Sequence, residues 1–172
     1  LDLAVEQDLR KRPPVYPDPV LEMLIKRGFE HEEAFVDEQK KDGRYVVDLR
    51  HETDRVAQTI AAMKEGVDLV VQGQLAHERW AGYPDVLRKI EAHSKLGSWS
   101  YEVIDTKLAK ETKGTTILQL SLYSEIVAAI QGVPPECFYV VTPEREELYR
   151  ISDYAAYYRL VKRRLAETIL VH

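Results

Sequence analysis

The chain has 172 residues, of which 45% are hydrophobic and 31% are charged, and this balance predicts one globular domain with a substantial core. Its formal net charge of −5 argues against a protein whose whole surface binds nucleic acid, although a local basic groove is compatible with that charge. The chain lacks an apolar run near the roughly 18 residues of a membrane span, a signal-peptide layout, and any cysteine besides Cys137, so we expect a cytoplasmic protein with no membrane partner.

Four segments have the apolar spacing of a helix. The first begins with Asp18 as the N-cap before a proline and runs to residue 41, with Gly28 as an interruption. Thr53 or Asp54 can cap the second helix, and Ser152 is the expected cap of the fourth. The second, third and fourth predicted helices lie at residues 55–66, 116–132 and 153–169.

Four further segments are rich in β-branched or aromatic residues and predict strands, at residues 44–49, 67–76, 99–108 and 137–142. The segment 82–92 is ambiguous, because Val86, Leu87 and Ile90 also suit a helical face. Helices and strands are intermixed along the chain. The sequence therefore predicts a mixed α/β domain in which helices cover a central sheet.

The predicted strand at 99–108 carries two charged side chains on its apolar face. Successive side chains of a strand alternate faces, so Asp105 and Lys107 lie on the same side as Trp99, Tyr101 and Val103. Most such pairs at strand ends are solvated or loosely paired, since burying an unpaired charge is costly. For an isolated Asp-x-Lys pattern, a structural role is therefore the stronger interpretation.

The third predicted helix adds polar side chains that change this balance. On a helical wheel, Gln119 lies near the middle of the apolar arc with Tyr123 one turn later, whereas Ser121 and Ser124 lie on the opposite side. A buried amide without hydrogen-bond partners costs free energy. Gln119 is either a core residue satisfied by the backbone or part of a polar pocket with Asp105, and the nearby Asp-x-Lys pattern favours the pocket.

Four motifs together resemble the RecB-like nucleases of the PD-(D/E)XK superfamily, including the putative nucleases found alone or fused to helicase-type domains. The motifs are Gly-x-x-His at 28–31, Pro-Asp at 84–85, Asp-x-Lys at 105–107 and Gln-x-x-x-Tyr at 119–123. Each is weak alone, but the four occur in the right order and spacing, and the resemblance covers nearly the whole chain. It implies a restriction-endonuclease-like fold, a mixed sheet between helices, in which Gly82 to Ile90 is a strand that presents Asp85 beside Asp105.

The resemblance also implies a metal site. It implies Asp85 and Asp105 as ligands of Mg²⁺ or Mn²⁺, the carbonyl of Thr106 as a further ligand, and His31 at the metal, where an imidazole biases the site toward Mn²⁺. If the first helix is unbroken at its glycine, Glu32 lies at the centre of the apolar arc and His31 on its flank. We prefer His31, with Glu32 as a neighbour that helps to orient the site.

The same resemblance implies catalytic roles for the other motif residues. Lys107 would orient the attacking water or stabilise developing negative charge. Gln119 and Tyr123 would hold Lys107 or a substrate phosphate in place. Many relatives also carry cysteine segments on both sides of this core that can hold an iron–sulfur centre. Cys137 alone cannot form such a cluster. The chain is expected to be a single nuclease domain or a fragment of a larger protein that lacks these cysteine segments.

The expected activity is metal-dependent hydrolysis of DNA phosphodiester bonds, on single strands or ends, with DNA and a helicase domain or subunit as partners. The alternative is a catalytically inactive nucleic-acid-binding or scaffolding module with a nuclease-like fold, and the intact motif residues argue against it. A third hypothesis, a Mg²⁺-dependent phosphoesterase with a small substrate, is disfavoured for nucleotide hydrolases because the sequence has no Gly-rich phosphate loop.

Overall fold

A mixed six-stranded sheet lies at the centre of the protein in the computed structural model, which describes residues 18–109 and 111–170. In chain order the strands are β1 (Val46–Asp48), β2 (Leu69–Val71), β3 (Leu75–His77), β4 (Trp80–Gly82), β5 (Val86–Ile90), β6 (Ser100–Thr106), β7 (Cys137–Val141) and β8 (Glu146–Arg150). The sheet order is β1-β2-β5-β6-β7-β8, and β3 and β4 form a separate hairpin. The pairs β1–β2 and β6–β7 are parallel, and the other neighbours in the sheet are antiparallel.

Among the residues that the structure describes, four helices flank the sheet: α1 (Pro19–Lys41), α2 (Arg55–Glu65), α3 (Gly114–Gln131) and α4 (Ile151–Leu170). The predicted mixed α/β class, with helices covering a sheet, is confirmed. Within the part of the chain that the structure describes, none of the helices has both the length and the apolar character needed to cross a membrane.

Local sequence signals set most of the helix ends. Asp18 caps α1 by accepting a hydrogen bond from the Val20 amide at 2.9 Å, and Asp54, not Thr53, caps α2. Gly28 does not interrupt α1, which continues unbroken to residue 41. The prediction for Ser152 is wrong, because α4 starts at residue 151 directly after β8 and Ser152 lies within its first turn.

Three strand predictions need correction. The single strand predicted at 67–76 is divided, because Gln72 adopts a left-handed backbone conformation (φ 52°) between β2 and β3. The ambiguous segment contains a strand, as the resemblance implies, but β5 starts only at residue 86; Gly82 ends β4, and Asp85 lies in the bend between them. The hairpin partner β4 and the strand β8 were not predicted, since both are short and β8 is largely charged.

Each face of the sheet has its own apolar cluster. On one face, Tyr101 and Val103 of β6 are fully buried with residues of α2 and α3, including Met63 and Leu120. On the other face, α1 packs Phe35 and Val36 against side chains of β2, β5, β6 and β7. The alternation predicted for β6 is therefore observed, and it carries Asp105 to the face of α2 and α3.

The face predicted for α3 is confirmed for Leu120, Tyr123 and Ile126, which are buried, but the prediction is wrong for Gln119 and for two serines. Ser121 and Ser124, predicted to face away from the core, are only 4% and 2% exposed, whereas Gln119 is exposed. Apolar residues occur on every side of this helix, so the helical wheel has no decisive arc. Ser121 is satisfied inside the core because its hydroxyl donates to the Ile117 carbonyl of the preceding turn at 2.7 Å.

The first half of α1 carries apolar side chains that are exposed in the described part of the structure. Its large hydrophobic side chains are about half exposed or more, in contrast to Phe35 and Val36 further along the same helix. The exposed side chains are those of Val20, Leu21, Met23, Leu24, Ile25 and Phe29. The helix thus enters the core only in its second half, where it also carries His31 and Glu32.

Candidate active site

The two predicted metal-binding aspartates lie together at one edge of the sheet. Asp85 precedes β5, and Asp105 and Thr106 end the neighbouring antiparallel strand β6. One oxygen of Asp85, Oδ2, accepts hydrogen bonds from the amide of Thr106 at 2.7 Å and from its hydroxyl at 3.0 Å. The amide of Gln72 donates to the Asp85 carbonyl at 2.8 Å. Asp85 is thus fixed relative to the strand that carries Asp105.

Asp105 is a buried acid whose negative charge is only partly balanced by its neighbours. The residue is 4% exposed, and its Oδ2 lies 3.1 Å from Nζ of Lys107. The contact is an ion pair whose angles fall outside hydrogen-bond geometry, so no donor among the described residues satisfies Oδ2. Burial and the neighbouring Asp85 carboxylate raise the pKa of Asp105 to about 7, although Lys107 acts in the opposite direction.

A third carboxylate reaches this edge from α1. Glu32 is 5% exposed and accepts hydrogen bonds from Nε2 of Gln72 at 3.0 and 3.1 Å and from Arg50 at 3.1 Å. The same Gln72 nitrogen lies 3.4 Å from Oδ1 of Asp85, so one amide bridges the two acids. Burial, and then the Asp85 charge, raise the pKa of Glu32.

Sequence reasoning named Glu32 as a neighbour of the site but did not find Gln72 or Arg50. The burial of Glu32 follows from the unbroken α1, since an uninterrupted helix places this residue at the centre of its apolar arc. Gln72 carries no motif. Its signal is a polar side chain directly after the fully buried strand β2, at the edge where the acids lie.

His31 lies at the same end of the sheet but contacts the backbone. Its Nε2 is 3.0 Å from the Val141 carbonyl of β7, and this carbonyl also accepts the amide of Lys107 at 2.9 Å. With Nε2 as the donor, Nδ1 keeps its lone pair, which is the usual state of a histidine poised to bind a metal. Within residues 18–109 and 111–170, however, no three His, Cys, Asp or Glu side chains are grouped closely enough to hold a metal ion.

The observed donors nevertheless fit a hard divalent cation. Asp85 and Asp105 present carboxylate oxygens, which Mg²⁺ and Mn²⁺ prefer. The unsatisfied buried oxygen of Asp105, and the mutual repulsion that raises its pKa, are what a bound cation would relieve. Thr106 has an observed role of a different kind, as a donor to Asp85, and its carbonyl as a ligand stays a prediction.

Gln119 and Tyr123 form a hydrogen-bonded pair that is separate from the charged cluster. Nε2 of Gln119 donates to the Tyr123 hydroxyl at 2.7 Å, and the Tyr123 ring packs so closely on Gly82 that a Cβ there would lie 2.0 Å from it. Both line a groove of about 260 Å³ with Trp80 and residues of α4. No hydrogen bond or ion pair within the described ranges joins either residue to Asp105 or Lys107.

The structure therefore brings together Asp85, Asp105, Thr106 and Lys107, adds Glu32, and places His31 beside them. A larger cavity of about 560 Å³ lies between α3 and α4, but it holds none of the motif residues and its lining is mainly apolar. Comparison of the chain with protein-family models and with curated proteins finds no match. The features of the chain that bear on its function are therefore the motifs and this cluster of acids with one lysine.

Proposed function

We propose that the protein is a metal-dependent nuclease that hydrolyses DNA phosphodiester bonds, with a restriction-endonuclease-like fold. The observation that carries the proposal is the pairing of Asp85 with Asp105, whose buried Oδ2 lies 3.1 Å from Lys107. The placement of these residues on adjacent strand ends of a mixed sheet, with helices on both faces, supports the fold assignment. Burying the Asp105 carboxylate next to a second acid costs free energy, which a purely structural role at a strand end would not explain.

Asp85 and Asp105 would hold the divalent cation. His31 would add Nδ1 as a further ligand only after its side chain moves toward them, since the described residues hold no three such groups close enough together. When bound, such a cation acidifies a water molecule and offsets phosphate charge. Glu32 lies within reach of Asp85 through Gln72 and would keep that carboxylate oriented.

Lys107 would act on the substrate. Its side chain is 39% exposed, so its ammonium can meet a solvent-borne phosphate while it stays paired with Asp105. In that position it would orient the attacking water or stabilise the negative charge that develops on the phosphate. Gln119 is exposed, and its side-chain amide is oriented by the hydrogen bond to Tyr123. This amide would contact a substrate phosphate further along the DNA strand.

The deciding experiment is a cleavage assay with labelled single- and double-stranded DNA in Mg²⁺, Mn²⁺ or EDTA. We expect cleavage that requires the divalent cation, favours single strands or ends, and is lost in the Asp105→Asn variant. Asp68→Asn is the matched control, because Asp68 forms its ion pair with Lys89 elsewhere on the sheet. Undiminished cleavage in EDTA or by the Asp105→Asn protein would sink the assignment. DNA binding without cleavage under every metal would instead support the non-catalytic module.

A further inference from the structure

We propose that Tyr83 and Arg55 form a platform on which an unpaired base of the DNA strand stacks as the strand enters the site. This inference rests on the proposed nuclease function and adds to it a residue-level basis for single-strand preference. Tyr83 is 51% exposed although its neighbour Pro84 is buried, and it lies two positions before Asp85. The Arg55 guanidinium carbon lies 5.5 Å from the centroid of its ring.

Arg55 is held in place by polar contacts, one of which is to the buried side chain of Thr59. Arg55 donates through its guanidinium to the Arg50 carbonyl, and Arg50 in turn binds Glu32 at 3.1 Å. Thr59 donates to the Arg55 carbonyl at 2.6 Å and accepts the amide of Gln74 at 3.0 Å. The bond to the Arg50 carbonyl fixes the guanidinium before any ligand arrives and connects it to the acidic cluster through Arg50, whereas Thr59 fixes the backbone of Arg55. A fixed aromatic–guanidinium pair binds a planar ligand at a lower ordering cost.

The lining of the adjoining pocket selects an uncharged planar group over a phosphate. The pocket has a volume of about 320 Å³ and is lined by Glu52, Thr53, Arg55, Gln74 and Tyr83. The negative charge of Glu52 offsets the positive charge of Arg55, so a phosphate would gain little electrostatic attraction there. A nucleobase can stack on the tyrosine ring and the guanidinium plane, while the hydroxyl of Thr53 and the amide of Gln74 can bond its polar edge.

The same geometry explains why the base must be unpaired. Inside a duplex, each base is already stacked and paired, and its face becomes available only after unstacking that costs a few kcal/mol. Tyr83 lies two positions before Asp85 in the protein chain, so a DNA strand whose base stacks on Tyr83 would bring its neighbouring phosphates toward the carboxylates. Since every base has an aromatic face, this contact gives strand preference without sequence preference.

Binding measured without cleavage tests the platform. Fluorescence anisotropy with labelled oligodeoxyadenosine and with a blunt duplex, at low salt in EDTA, gives affinities for the wild type, Tyr83→Ala and Tyr83→Phe. The matched control is Tyr45→Ala, because Tyr45 is 53% exposed and lies just before β1, away from the aspartates. Melting curves establish that each variant is folded.

We expect Tyr83→Ala to lose roughly 5- to 150-fold in single-strand affinity, which corresponds to about 1–3 kcal/mol, the usual range for one stacked base. Tyr83→Phe and Tyr45→Ala should bind the single strand like the wild type, and the duplex affinity should change little in any variant. Equal single-strand affinities of Tyr83→Ala and Tyr45→Ala, or no single-strand binding by the wild type, overturn the platform.

Cleavage measured in parallel separates this inference from the proposed function. If the wild type cleaves DNA and Tyr83→Ala both binds and cleaves normally, the platform is wrong and the nuclease stands. If single-strand binding depends on Tyr83 but no metal supports cleavage, the nuclease is wrong and the platform stands.

Discussion

Replacing Asp105 with asparagine should stabilise the metal-free protein at alkaline pH. Burial and the Asp85 charge raise the pKa of Asp105 from its usual 3.8 to about 7, so the folded state holds a proton that the unfolded state has already released. Stability from this group is fully present below about pH 4 and is lost as the pH rises to about 7. One pH unit corresponds to about 1.4 kcal/mol, so the free energy of unfolding lost between the two pKa values is roughly 4 kcal/mol.

The size of the effect sets the expected result for Asp105→Asn. At pH 8 the neutral amide avoids the cost of a buried charge, so the variant should exceed the wild type in free energy of unfolding by an amount approaching this 4 kcal/mol. At pH 4 the wild-type carboxyl is protonated and the difference should nearly vanish. Lys107 loses its partner, but its side chain is 39% exposed and can be solvated.

Urea unfolding of both proteins in EDTA, followed from pH 4 to pH 8, measures this difference. Asp68→Asn provides a control of opposite sign, because Lys89 and the Tyr45 amide lower the pKa of Asp68, so neutralising it removes stability at pH 8. An Asp105→Asn protein that is less stable than the wild type at pH 8, or a wild-type stability that does not fall between pH 4 and pH 7, would refute the reasoning. A gain shared equally by the Asp68 variant would point to a general charge effect on this acidic chain.

Four other outcomes are expected. Mn²⁺ or Mg²⁺ at pH 8 should raise the melting temperature of the wild type but not of Asp105→Asn, and equal shifts would remove Asp105 from the metal site. Gly82→Ala should lower the free energy of unfolding by about 1–3 kcal/mol, because the new Cβ would overlap the buried Tyr123 ring. Gly28→Ala has open space around it and should stabilise α1 by about 0.5–1 kcal/mol. Similar melting temperatures of the two variants would contradict the packing at Gly82. Gln119→Leu should keep its stability and lose roughly 10- to 1000-fold in cleavage rate, and a wild-type rate would remove the amide from the site. DNA affinity of a cleavage-dead protein should fall steeply with added salt, and a flat titration would exclude a phosphate-binding groove.

Signals that act within a few residues were sufficient for much of the fold. Asp18 before a proline and Gly66 at a left-handed position mark helix ends that need no tertiary contact to be recognised. The edge strand β8 was missed, because three of its five residues are charged and its alternation becomes visible only beside β7. The orientation of α3 was predicted only in part for another reason: a helix that is apolar all round is oriented by its neighbours.

In the candidate site, too, some features follow from the sequence and others depend on tertiary contacts. The proximity of Asp85 to Asp105 came from motif order, and the shared face of Asp105 with the apolar side chains came from strand alternation. The role of Gln72 could not be predicted, since its amide joins Glu32 to Asp85 across residues distant in sequence. An exposed aromatic such as Tyr83 likewise carries no periodic signal.

The contrast between the two halves of α1 has a consequence for amide hydrogen exchange. Within the described part of the chain, the turns around Leu21 and Ile25 are stabilised by helical hydrogen bonds and not by packing on the core, so their amides should exchange through local fraying within the native state. The turns that carry Glu32, Phe35 and Val36 are packed on the sheet, and their amides should exchange much more slowly, near the rate set by global unfolding. The boundary between fast and slow exchange should therefore fall near Phe29, so that the helix can open at its start without releasing Glu32 from the acidic cluster.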